Sequence, residues 1–197
     1  MSEVPSSPKD SPSAGPSSPA PGSPSPEETP ASPAGLPTPI RIRPVAEGDE
    51  EIFLSLVDAH ADFEKMDPPG PEARERLIRD ALSDPPRYRA YLATIEGRDV
   101  GYCITYLAYS SFLARPTFFL EDIFVFSEYR SRGFGGAMFA YLVKEAVRLE
   151  CGRMEWMVQE WNEGAIRFYE RRGAVELAEW RTYRIDQDQL ARLAGGA

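Results

Sequence analysis

The chain has 197 residues, of which 42% are apolar and 11% aromatic, enough to build a hydrophobic core in one domain or a small pair. With 31 acidic against 22 basic side chains the formal net charge is -9, which argues against nucleic acid as a main partner, because a polyphosphate needs a basic face. No apolar run approaches the ~20 residues that span a bilayer and none near Met1 resembles a signal segment, so a soluble, cytosolic protein with no membrane partner is expected.

The averages hide a division. Residues 1–39 hold twelve of the 19 prolines, ten serines and no aromatic side chain. So little apolar surface cannot offset the entropy of ordering, and 1–39 reads as a disordered, partly polyproline-like tail. Residues 40–197 form the working domain. Ile40-Arg-Ile-Arg-Pro44 alternates apolar and polar residues, as a short strand does. Asp49 then offers an N-cap, and Phe53, Leu56, Val57, His60 and Phe63 recur at helical spacing, so a helix is expected over Asp49–Lys65, ended by Met66-Asp-Pro-Pro-Gly-Pro71. His60 on that face reads as a packed or hydrogen-bonded side chain rather than a base, and one histidine without a nearby cysteine gives little support for a metal site. Pro71 opens a second helix whose Ala73, Leu77, Ile78 and Ala81 share a face before Pro85-Pro86.

Arg89–Ile95 and Val100–Tyr109 flank the compact turn Glu96-Gly-Arg-Asp99, a hairpin pattern. Thr117–Phe126 is the next strand. Strict alternation would send Leu120, Asp122, Phe124 and Phe126 one way and Glu121, Ile123 and Val125 the other. The turn Tyr129-Arg-Ser-Arg-Gly-Phe-Gly-Gly136 leads into a helix with Met138, Phe139, Leu142, Val143, Ala146 and Leu149 on its inner side. Arg153–Gln159 reads as a strand. Asn162 caps a short helix carrying Ile166, Phe168 and Tyr169, and Gly173 stands where a left-handed terminal residue belongs. A strand over Trp180–Ile185 and a terminal helix opened by Asp186-Gln-Asp-Gln189 complete the pattern. Antiparallel strands first and a helical crossover later imply an α/β (α+β) fold, a mixed sheet with helices on both faces. Cys103 and Cys151 lack CxxC spacing and read as two reduced, partly buried thiols.

Arg130-Ser-Arg-Gly133-Phe-Gly135-Gly136, between a strand and a helix, lets the backbone approach a ligand, and free N–H groups at a helix start favour an anion such as a pyrophosphate. Walker A is excluded because no Gly-Lys-Ser/Thr follows, and the dinucleotide fingerprint because Met138 occupies its third glycine position. A plain glycine-rich turn remains the alternative.

Leu120-Glu-Asp-Ile-Phe-Val125, Arg130-x-x-Gly133-x-Gly135, Glu160-Trp-Asn162 and Arg167-Phe-Tyr169-Glu-Arg-Arg-Gly-Ala174, in that order and spacing, resemble the GNAT superfamily of N-acetyltransferases. Within it they are most similar to the spermidine/spermine (diamine) and thialysine branch, and the resemblance runs from about Ile40 to the terminal helix. It implies a mostly antiparallel central sheet with a splayed parallel strand pair, acetyl-CoA as cosubstrate, no metal, and a homodimer. By the same resemblance the backbone of Ser131, Arg132, Gly133, Phe134, Gly135 and Gly136, with Arg130, would hold the pyrophosphate, and Ile123, Phe124 and Val125 would pair with the pantetheine arm. Asn162, Glu163, Gly164 and Ala165 would touch the cofactor as well. Arg172 is either a phosphate ligand or a solvated cation complementing its helix dipole.

Acyl transfer to an amine must also deprotonate an ammonium and protonate a thiolate. Tyr169 is the candidate acid, since a phenol can protonate a thiolate leaving group, with a core position the alternative. Glu121 is the candidate base, directly or through water, because a primary amine of pKa ~10.4 is neutral about one time in a thousand near pH 7.4. Asp122 either shares the substrate site or stabilises the structure. Weaker candidates for a cationic acceptor, from the same resemblance, are Phe63, Glu64, Glu155, Trp156, Glu179 and Trp180, the tryptophans as cation–π faces. The expected activity is direct transfer of acetyl to a small cationic amine in a ternary complex. Acetylation of a protein lysine or N-terminus, and a non-catalytic CoA-binding module, are the rival readings.

Overall fold

The computed structural model describes residues 39–195, and the tail expected over 1–39 lies, Pro39 apart, outside the described residues. The elements are β1 (Ile40–Pro44), α1 (Glu50–Glu64), α2 (Pro71–Leu82), β2 (Arg89–Ile95), β3 (Arg98–Ser110), β4 (Arg115–Val125), α3 (Phe134–Arg148), β5 (Arg153–Trp156), α4 (Glu163–Glu170) and α5 (Gln187–Gly195). The strands form one sheet in chain order, antiparallel except for the parallel pair β4–β5.

Helices cover both faces of that sheet. Phe53 and Leu56 of α1 pack on Leu92, Tyr102 and Phe124, with Leu77 and Ile78 of α2 alongside. On the opposite face Met138, Phe139, Leu142 and Ala146 of α3 pack on Tyr91, Cys103, Phe118 and Leu120, and Tyr169 of α4 joins them. Val143, expected on the inner side of α3, is exposed. It lies at the margin of the stripe that Met138, Leu142 and Ala146 already fill. Both cysteines are free, Cys103 fully buried and Cys151 partly.

The β2–β3 turn is tighter than expected. Glu96 and Gly97 both take positive φ (51° and 78°), the geometry of a two-residue primed turn, so Arg98 and Asp99 belong to β3. Asp49 is the N-cap residue of α1, its carbonyl accepting from the Phe53 N–H at 2.9 Å, but its side chain caps no N–H of the helix. Its carboxylate accepts from the Ala46 N–H at 2.9 Å and from Arg43 at 2.5 and 2.8 Å, tying β1 to the helix start.

Two departures shape the centre of the molecule. In β4 the register steps from Ile104 opposite Asp122 to Thr105 opposite Leu120, leaving Glu121 as the extra residue of a bulge. The alternation therefore reverses there. Phe118 and Leu120 face α3 before the bulge, and Ile123 and Val125 face it afterwards, while Asp122 and Phe124 turn toward α1. Leu120 thus parts company with Asp122 and Phe124, contrary to strict alternation. Second, β5 stops at Trp156 instead of Gln159, and its pairing ends at Leu120 opposite Trp156 while β4 continues to Val125. Among the described residues the last five of β4 have no strand partner on that side, which is the splay. Trp180–Ile185 forms no strand; it runs as coil, with Trp180 74% exposed, because no strand edge of the described residues lies against it.

Candidate active site

The fork between β4 and β5 gathers the chemistry. Glu121 stands on the bulge immediately after the last paired residue and is exposed. The Tyr106 phenol hydrogen-bonds it and is raised in pKa by burial first and by the Glu121 charge second, while the Tyr106 ring stacks on Phe119 at 4.9 Å. Glu155, paired opposite Phe119, holds Arg153 at 2.9 Å.

Tyr169 reaches the same fork from the α3 side. Its ring packs on Trp156, the last paired residue of β5, at 4.8 Å, on Phe168 at 5.1 Å and on Phe139 at 5.6 Å. Burial pushes its phenol up to about 12, the nearby Arg172 only partly opposing, so the hydroxyl keeps its proton at neutral pH. Trp156 packs edge-on to Phe139 as well, so its ring walls in Tyr169.

Beyond β4 a single 3₁₀ turn, Ser127–Tyr129, leads to the loop. Ser131 (φ 59°) and Gly133 (φ 86°) both take left-handed conformations, and Gly133 is the N-cap of α3, so consecutive N–H groups of the loop and first turn point out of the helix end. Phe134 buries its ring against Ile95 and Val100, which anchors that end and leaves only its backbone to the loop. At Gly136 a Cβ would stand 2.8 Å from Arg172 Nη2, so the guanidinium from the end of α4 lies directly over the first turn of α3. It is held there by the Phe168 ring, 3.6 Å below, and by donation to the Phe168 carbonyl at 2.8 Å. This loop, helix end and overlying cation fit an anionic group. Arg132 lies over the Phe134 ring at 5.2 Å. Arg130 is partly occupied otherwise: its Nε donates to the Val125 carbonyl at 2.8 Å and its guanidinium covers Phe63 at 4.1 Å, so it braces the end of β4 against α1.

Asn162 caps α4, its Oδ1 accepting from the Ala165 N–H at 3.1 Å; Gly164 is beside that contact and Glu163 pairs with Arg167 at 2.8 Å. On the α1 side of the sheet, Asp122 and Glu64 converge on His60, at 3.7 and 3.5 Å. Burial raises the Asp122 carboxyl above the usual range, His60 opposing and Glu121 adding to it. Phe63 also meets Trp161 at 5.5 Å, a contact across the fork that sequence reasoning missed although Trp161 lies in the Glu160-Trp-Asn162 motif. Glu179 and Trp180 are exposed on the coil and are not drawn into this cluster.

The model of the Acetyltransferase (GNAT) family matches residues 54–174, a span that contains the bulge, the glycine loop and the Tyr169 helix. The chain belongs to that family. A thialysine N-epsilon-acetyltransferase of Bos taurus is 30% identical over 167 residues, 79% of this chain and 98% of the relative. L-ornithine N5-acetyltransferase NATA1 of Arabidopsis thaliana is 44% identical over 117 residues, 59% of this chain, but that match spans only 46% of the relative's length. A solved structure described as a probable acetyltransferase superposes with a TM-score of 0.65 at 24% identity, covering 74% of this chain and 97% of that one, and supports the fold. This GNAT chain is an N-acetyltransferase, and its mixed five-stranded sheet with one parallel pair is the GNAT fold.

Proposed function

We propose that the chain transfers an acetyl group from acetyl-CoA to a primary amine of a small cationic substrate, such as a diamine, a polyamine or a thialysine- or lysine-like molecule, by direct transfer in a ternary complex. The observation that carries this reading is the fork itself. The stretch of β4 left without a partner on its β5 side bears Glu121 and Asp122, and a buried, protonated Tyr169 stands at the closed end of the fork.

The loop backbone over 131–136, Arg172 and the capped start of α4 would hold the cofactor's phosphates, and Ile123 to Val125 would pair with its pantetheine arm. Bound there, acetyl-CoA supplies the activated acetyl thioester. Tyr169 holds its proton on Oη, the state needed to protonate a departing thiolate. Glu121 and Asp122 bind the ammonium and draw off its proton, relieving a handicap of ~4 kcal/mol near pH 7.4. Cys103, fully buried, is inaccessible as an acyl carrier, which favours direct transfer. The relatives' named acceptors, thialysine and ornithine, are small and cationic, in keeping with four carboxylates near the fork: Glu64, Glu121, Asp122 and Glu155.

The test is an acetyl-CoA turnover screen over putrescine, spermidine, thialysine, ornithine, lysine and lysine-containing peptides. Small amines should be turned over and peptides should not; a preference for peptides would overturn the small-amine assignment. With the best acceptor, Tyr169→Phe should lower kcat by roughly a hundredfold or more while acetyl-CoA affinity holds, and unchanged turnover would remove Tyr169 from the acid role.

A further inference from the structure

Acetyl transfer by these groups leaves two largely buried polar side chains behind Asp122, those of His60 and Tyr102, without a role. His60, the chain's single histidine, lies on the inner face of α1 with its side chain only 14% exposed. Its ring stacks on Phe124 at 5.1 Å and meets the edge of Tyr102 at 5.8 Å, a position a leucine would fill without the desolvation an imidazole suffers. Nδ1 is hydrogen-bonded to the Tyr102 hydroxyl at 2.8 Å, with Asp122 Oδ1 3.7 Å from the same nitrogen, and Nε2 faces Glu64 Oε1 at 3.5 Å, an ion-pair distance for a protonated ring. The Tyr102 phenol, 1% exposed, also bonds Asp122. Carboxylate, phenol, imidazole and carboxylate therefore run in order from the β4 fork to the outer end of α1.

We propose that His60 is a positioning residue for proton removal: it takes up, through the Tyr102 hydroxyl, the proton that Asp122 receives from the acceptor ammonium, and releases it past Glu64 to water. The ammonium N–H bond breaks and an O–H bond forms on Asp122. That proton passes to Tyr102 Oη as the phenol's own proton moves to His60 Nδ1. The ammonium's charge thus becomes an imidazolium between two carboxylates, with Asp122 and Tyr102 restored and no electrons exchanged. Burial and the Asp122 charge raise the Tyr102 pKa far beyond neutrality, so the phenol relays without ionising. The groups facing the ring are Glu64 from α1, Tyr102 from β3 and Asp122 from β4. Next outside are Glu121, the Tyr88 phenol just before β2, and the Arg130 guanidinium, 5.2 Å from the Phe124 ring.

This role rests on the amine-acetylation reading, and the experiment separates the two. In the full chain without a histidine tag, kcat is measured from about pH 7 to about pH 10 for the wild type, His60→Gln and His60→Leu with the best amine of the panel. Both variants should lose roughly tenfold or more near pH 7, with the KM for acetyl-CoA unchanged. The deficit should close toward pH 10, where the amine approaches its own pKa and little proton need be removed. A deficit equal at every pH, or none, would overturn the proposal. A second readout needs no turnover: the nitrogen resonances of the single imidazole should move in Tyr102→Phe and in Asp122→Asn. A ring indifferent to both would overturn the relay whether or not any amine is acetylated, whereas failure of the wild type on all the amines would strike the acetylation reading alone.

Discussion

Asp122 sits under α1 with its side chain 28% exposed, and burial, only partly offset by His60, holds its proton more tightly than an ordinary carboxyl does. A carboxyl whose folded pKa lies above its unfolded value of ~3.9 weakens the fold as pH rises between the two, and the whole penalty is present above the folded value. Asp122→Asn should therefore raise the melting temperature at pH 7 by about 2–4 °C, leave it unchanged near pH 3, and lower acetylation. Thermal melts over that range check it; destabilisation at pH 7 would mean that the attraction to His60 outweighs burial. The helical spacing of Phe53, Leu56, His60 and Phe63 was enough to place His60 on an inner face as a hydrogen-bonded side chain. Its partners Tyr102 and Asp122 were not legible, because they come from strands some 40 and 60 residues away and no local pattern encodes that meeting.

Among the elements, β4 decides where the proposed site lies. Its apolar and acidic residues announce a strand, but one inserted residue inverts the faces, and alternation carries no mark of a bulge at Glu121. The antiparallel hairpin, the helices on both faces and the Asn162 cap were legible because each rests on local chemistry: turn residues, periodicity and a side-chain acceptor. The end of β5 and the missing strand over Trp180–Ile185 were not, since a strand exists only where another edge meets it. The open end of β4 is held from its other side by β3, where Gly101 lies opposite Val125. A Cβ at Gly101 would stand 2.5 Å from the Phe124 carbonyl oxygen and 3.2 Å from the Val125 side chain, and backbone cannot swing aside. Gly101→Ala should therefore push β3 from β4 at the fork, destabilising the fold by about 1–3 kcal/mol and weakening acetyl-CoA binding with it. Denaturant unfolding and calorimetric titration with acetyl-CoA test the pair of effects; a variant stable and binding as the wild type would show that the strands can part without consequence.

Over the whole molecule, the charge of -9 is shared unequally, -3 in residues 1–39 and -6 in the remaining 158. Both signs occur on both faces of the sheet, Arg130 lying against Phe63 of α1 and Glu163 pairing with Arg167 of α4, but around the fork the groups unpaired with an opposite charge differ by side. Arg132 and Arg172 stand at the loop and helix end on the α3 and α4 side, whereas Glu64 and Asp122 lie on the α1 side with Glu121 on the bulge between. An ammonium approaching the α1 side meets the local carboxylates and the net negative field together, so attraction extends over the Debye length, ~30 Å at 0.01 M salt against ~8 Å at 0.15 M. The kcat/KM for a diamine should accordingly fall several-fold across that range of salt, and that for a monoamine of equal reach should fall less, because it carries half the charge. Replacing Glu64 and Glu155 together with glutamine should flatten the diamine's dependence without touching the bulge carboxylates. A salt response equal for the two amines would assign the acidity of this chain to solubility and leave acceptor choice to short-range contacts at the fork.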